Sequence, residues 1–146
     1  MPRALQRCSS AATLAIAAVL LVGCGGQSEY CATVEENATV LEAVGKDRTN
    51  AAYDEYAEAF EVVAADAPES IEAQWTELAE VTRGVLAAQE AVGMPLEDMA
   101  DDDRVAELSE EQLASLNEAY EAFNATTEQR TAVVKNVKQE CDITLD

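Results

Sequence analysis

Arg130 sits where an apolar residue would be expected. Leu113, Leu116, Tyr120, Phe123, Thr127, Arg130, Val134, Val137 and Cys141 recur at alternating spacings of three and four, which puts them on one face of a helix. A guanidinium on that face, with Asn124 and Thr127 nearby, can line a polar pocket and grip a carboxylate or phosphate through its fork of donors. The plainer role buries the aliphatic stem and leaves the head in water or paired with a glutamate. Tyr53, Tyr56, Phe60, Trp75, Tyr120 and Phe123 also recur at helical spacing. They can wall a cavity for an apolar ligand or fill a helical core. If the core is hollow, Trp75, Tyr120 and Arg130 are the residues expected to line the hollow.

Other chemistry has fewer footholds. The chain has no histidine, so Ser/His and Cys/His nucleophile pairs are excluded. Zinc would have to rely on carboxylates and cysteines, an improbable set. Carboxylates are abundant, but no spacing singles out an acid–base pair. Glu97, Asp98, Asp101, Asp102 and Asp103 offer oxygen ligands for a hard cation, yet lack the alternating ligands, central glycine and terminal glutamate of a calcium loop. They read as a solvated linker with a helix-capping aspartate. No glycine-rich loop cradles a phosphate. The expectation is a non-enzymatic protein with no catalytic residue, no cofactor and no metal.

The first residues carry the most specific signal. Arg3 and Arg7 form a positive start with no acid, and Ala11 to Leu21 is an apolar run too short to span a bilayer as a mature helix. Leu21-Val22-Gly23-Cys24 follows at once. This opening resembles a bacterial lipoprotein signal peptide, whose lipobox ends in a small residue and cysteine. The resemblance implies removal of residues 1–23, with Cys8 among them, and diacylglyceryl attachment to the Cys24 thiol. Two acyl chains hold a protein stably on a membrane, where one is marginal. The implied location is extracytoplasmic, on the outer face of the cell membrane, with the membrane itself as a partner through the Cys24 anchor.

Residues 24–30 then form a tether and residues 31–146 one helical domain. The mature chain has 123 residues, a single domain's worth. With Arg3 and Arg7 gone, seven basic residues face 29 acidic ones, a mature charge of −22. That balance disfavours nucleic acid and anionic headgroups. An envelope protein or wall polymer is the expected class of partner. Cys31 and Cys141 are the cysteines left over, in a compartment that permits disulfides. One intramolecular pairing is possible for them. A redox-active pair usually has Cys-x-x-Cys spacing, which these lack.

Four segments carry helical periodicity: Cys31, Val34, Ala38 and Leu41; Tyr53, Tyr56, Phe60 and Val63; Ile71, Trp75, Leu78, Val85 and Val92; and the Arg130 stripe. Gly45 to Asn50 breaks the first register, because continuing it would bury Arg48 and Glu55. Thr49 or Asn50 can cap the second helix. Pro68 suits the start of the third, and Gly93 and Pro95 its end. Ser109-Glu110-Glu111-Gln112 matches a capping box. The last helix is expected to run unbroken from Glu110 to Glu140, about 46 Å long. The expected fold is all-α, a four-helix bundle with a long C-terminal helix, closed by one disulfide.

Tyr30-Cys31 soon after the lipobox, Ala67-Pro68 before Trp75, and the closing Glu140-Cys141-Asp142-Ile143 are similar to features of small, uncharacterised actinobacterial lipoproteins. That resemblance implies a helical fold with a terminal disulfide and no activity. Asp142 departs from the pattern, which has glycine there. The function expected is a membrane-anchored interaction or accessory module of the cell envelope. The alternative is a carrier or sensor that holds a small ligand in the bundle interior.

Overall fold

Local chemistry starts and stops each helix. In the computed structural model, which describes residues 28–145, α1 spans Glu29–Ala43 and begins where the Ser28 hydroxyl accepts the Cys31 N–H. α2 spans Asn50–Asp66 and is capped by Thr49, whose hydroxyl accepts the Ala52 N–H at 3.1 Å. α3 spans Glu69–Val92, with Glu69 and Glu72 in the first turn, where the helix dipole favours acid. It stops at Gly93, whose φ of 68° is the left-handed cap that glycine adopts without strain. A 3-10 helix at Leu96–Ala100 and the single-turn α4 at Asp102–Val105 make up the connection. α5 spans Glu110–Asn124 behind the Ser109–Gln112 capping box, both halves of which form. α6 spans Thr127–Cys141. The signal peptide at 1–23, the lipid site Cys24 and most of the 24–30 tether lie outside the described residues.

All regular structure among the described residues is helical. α3 is central and packs on α2, α5 and α6, while α1 lies on α2. Val34 and Leu41 of α1, Tyr53, Tyr56, Phe60 and Val63 of α2, and Ile71, Trp75, Leu78 and Val85 of α3 are buried as their spacing predicts. Each large apolar side chain so buried contributes about 1.5–3 kcal/mol. Two links tie the first and last described helices together and to this core. The Cys31–Cys141 disulfide joins the first turn of α1 to the last residue of α6, with Cα atoms 5.2 Å apart. Its closed loop spans 110 residues, which in the chain-entropy account stabilises the fold by about 4–5 kcal/mol. Alongside it, Trp75 Nε1 donates to the Tyr30 hydroxyl at 3.2 Å, and that hydroxyl donates to Asn136 Oδ1 at 2.9 Å. This chain ties α3 to α1 and α6.

The long C-terminal helix is two helices. α5 ends at Asn124, Thr126 takes φ −80° and ψ 23°, and α6 starts at Thr127. The described chain therefore has five α-helices longer than a single turn, where four were expected. Neither proline nor glycine marks the break. Instead the Phe123 carbonyl accepts the Thr126 hydroxyl at 2.7 Å and an Arg130 N–H, also at 2.7 Å. Side-chain donors of this kind compete with the helical ladder and bend it. The break also changes the phase of the buried stripe. Val133 and Val137 are buried in α6, whereas Val134, expected inside, is 39% exposed. Thr127 is likewise exposed.

The C-terminus of α6 ends on Asp142 at φ 56°. This is the left-handed cap conformation that favours glycine. Lys138 holds the aspartate there, its ammonium 2.7 Å from Asp142 Oδ1.

Candidate functional site

The break between α5 and α6 borders a cavity. It holds about 470 Å³ and opens between the start of α2, the end of α5 and the start of α6. Tyr53 comes from α2, Tyr120, Phe123 and Asn124 from α5, and Arg130 from α6. Gly45 and Arg48 reach it from the turn after α1, and Leu96 and Met99 from the 3-10 helix. Gly45 has φ 80°, a turn conformation few other residues adopt. The 3-10 helix is pinned in place by a reciprocal clamp. Asn50 Oδ1 accepts the Leu96 N–H at 2.9 Å, and Glu97 Oε2 accepts the Asn50 N–H at 3.0 Å. That bond holds the exposed Glu97 carboxyl below its ordinary pKa.

Arg130 is fixed on the cavity wall by two contacts. Its Nη2 bonds the Phe123 carbonyl, and its guanidinium carbon lies 4.4 Å from the centre of the Phe123 ring, within reach of a cation–π attraction. Phe123 in turn packs on Tyr53, with ring centres 5.4 Å apart. Of the two placements expected for its head, in water or paired with a glutamate, the glutamate pair does not form among the described residues. Among the described residues Arg83 pairs with Asp54 and Glu61, and Arg104 with Asp98. Among the described residues Arg48 and Arg130 have no carboxylate within ion-pair distance. Both of these arginines line this cavity, and no aspartate or glutamate does.

The phenols beside them are neutral donors. Burial pushes the Tyr53 pKa up, while Arg48 and Arg130 pull it partly back. Burial also raises Tyr120, against the Gln89 hydrogen bond. The Tyr120 hydroxyl accepts Gln89 Nε2 at 2.6 Å, which leaves its own proton to donate. The Tyr53 hydroxyl has no hydrogen-bond partner among the described residues.

Tyr120 and Arg130 both line this cavity, but from two helices, α5 and α6, rather than from one continuous face. Trp75 lies elsewhere, 1% exposed with its ring 6.0 Å from that of Phe60. It borders a smaller space of about 150 Å³, which Arg130 also lines. The acidic stretch has local duties: Glu97 clamps α2, Asp98 pairs with Arg104, and Asp101 caps α4. Among the described residues no group of three histidine, cysteine or acidic side chains is arranged to hold a metal. Arg48 and Met99 were not identified as site residues from sequence. A lone arginine in a turn and a methionine in a linker carry no periodic signal, and only the packing of the connection brings them to Tyr120.

No helix among the described residues is long and apolar enough to cross a membrane. No protein family, curated protein or solved structure matches the chain.

Proposed function

We propose that this protein is a lipid-anchored binding protein of the bacterial cell envelope. It captures a small molecule in the cavity between Tyr53, Tyr120 and Arg130 and performs no catalysis. The observation that carries the reading is that cavity, about 470 Å³ in volume, within the roughly 300–1,000 Å³ range of ligand sites. The lipobox-like Leu21 to Cys24 segment supports the anchor, with residues 1–23 as the leader and the tether ending at the Ser28 cap of α1 rather than at Tyr30.

The two features are compatible in space. Six residues separate Cys24 from Cys31, a reach of at most about 25 Å, so the disulfide end of the bundle stays near the membrane. The cavity is built at the other end of α1, after its 15 residues, or about 22 Å of helix. In this arrangement the ligand site faces away from the bilayer, toward the envelope. A small ligand also suits the surface better than a protein partner does. The exposed large apolar side chains among the described residues are Val62 and Val134, whereas protein interfaces are built around an apolar core.

Two variants test the reading. Cys24→Ser should move the protein from the membrane fraction and abolish incorporation of labelled fatty acid; retention on the membrane would contradict the anchor. Asn124→Trp should fill the cavity from the exposed end of α5. Protein purified from its native membranes should carry a small molecule that the variant lacks; an identical complement in both would contradict the site.

A further inference from the structure

We infer that the ligand held in the cavity is a monoanionic organic carboxylate with a compact apolar body, read by Arg48 and Arg130 together. The inference rests on the ligand-site reading above and adds the chemistry of the ligand.

The whole chain has 29 acidic and nine basic residues. On such a surface an arginine finds a carboxylate easily, as Arg83 and Arg104 do. Among the described residues Arg48 and Arg130 have none within ion-pair distance, and both line a cavity whose described lining holds no acidic side chain. Both cations face one cavity, and like charges there repel each other unless something negative lies between them. The cavity offers further donors, namely the Tyr53 and Tyr120 hydroxyls and the Asn124 amide. Such a set suits an oxyanion, and a guanidinium fork matches the two oxygens of a carboxylate.

The rest of the molecule narrows the class. The −22 mature charge repels an approaching anion, and each further negative charge on the ligand adds to that cost. A single charge is therefore favoured over a phosphate dianion. Leu96 and Met99 supply an apolar wall beside the donors, which a hydrated inorganic ion would leave unused. Arg130 contributes more than charge. Its bond to the Phe123 carbonyl fixes the fork before the ligand arrives, so little side-chain freedom remains to be lost on binding.

Calorimetric titration of the full chain in non-ionic detergent tests this with three probes: benzoate, its uncharged near-isostere benzamide, and inorganic phosphate. Benzoate should bind at least about tenfold more tightly than benzamide, the ratio expected for one charge-assisted hydrogen bond. Phosphate should bind more weakly than benzoate. Arg130→Gln should weaken benzoate about tenfold. Arg48→Gln, on an exposed turn, should do the same and keeps the test open if the Arg130 variant unfolds. Equal binding of benzoate and benzamide would overturn the anion inference while leaving a ligand site. Tighter binding of phosphate would overturn the carboxylate class. Binding of no probe, together with loss of no native ligand in Asn124→Trp, would remove the ligand-site reading as well.

Discussion

Arg130 donates to the Phe123 carbonyl at 2.7 Å and covers the Phe123 ring at 4.4 Å. One side chain thereby closes the end of α5, fixes the start of α6 and presents a cation to the cavity. The carbonyl it holds would otherwise accept the next turn of a continuous helix. A half-buried arginine therefore has a backbone duty here as well as a place at the site.

Arg130→Lys should be costly despite keeping the charge. Lysine has no planar fork to bond the carbonyl and stack on the ring together. A loss of about 1–2 kcal/mol is expected from urea unfolding. An unchanged midpoint would show that the break does not depend on the guanidinium.

The phase change across the break gives a paired prediction. Val133→Ala should cost about 2 kcal/mol, because Val133 is 3% exposed. Val134→Ala should stay within about 0.5 kcal/mol, as exposed substitutions do. A reversed order of effects, measured in the same unfolding assay, would restore the unbroken helix.

Tyr30→Phe should destabilise more than loss of one exposed hydroxyl would. It strands the buried Trp75 indole N–H and takes a donor from the half-buried Asn136 amide. A cost of about 1–3 kcal/mol follows for unsatisfied buried groups. Trp75 is the only tryptophan, so its fluorescence should report the changed surroundings directly.

Reduction of the Cys31–Cys141 bridge should lower stability by about 4–5 kcal/mol in the chain-entropy account. Denaturant titration with and without reductant measures this. Equal midpoints would mean that the ends are held by other contacts, with the Trp75–Tyr30–Asn136 chain the first candidate.

Alkaline pH should weaken the fold. Burial is the first cause of a raised pKa at Tyr30, Tyr53, Tyr56 and Tyr120, the chain's four tyrosines. A folded-state pKa above the unfolded value means that the unfolded chain loses its protons first. Stability is therefore full below pH about 10 and falls as pH rises from there through the folded-state values. Unfolding monitored at increasing pH beside tyrosinate absorbance checks the coupling. Tyrosines that ionise without loss of stability would contradict it.

Much of this architecture is legible in residue order, and the reasons are local. Tyr53, Tyr56, Phe60 and Val63 are all buried because three-and-four spacing alone places them on one face. Thr49, Gly93 and the Ser109–Gln112 box act within a turn of their own position. The break at Thr126 is hidden because the apolar lettering runs through it: Val133 and Val134 are identical side chains, and only the backbone decides which turns inward. Gln89, 1% exposed, looks like a surface residue until Tyr120 is placed beside it. At the cavity, Arg130 and Tyr120 stand out for their place on the stripe. Arg48 and Met99 become visible only when the connections fold over α5.

Mass spectrometry of the protein taken intact from its native membranes tests the central claim most directly. The account predicts a chain that begins at Cys24, carries a diacylglyceryl group on that residue, and retains a small anionic ligand under non-denaturing conditions. A chain with an unmodified Cys24, bearing no ligand, would contradict it.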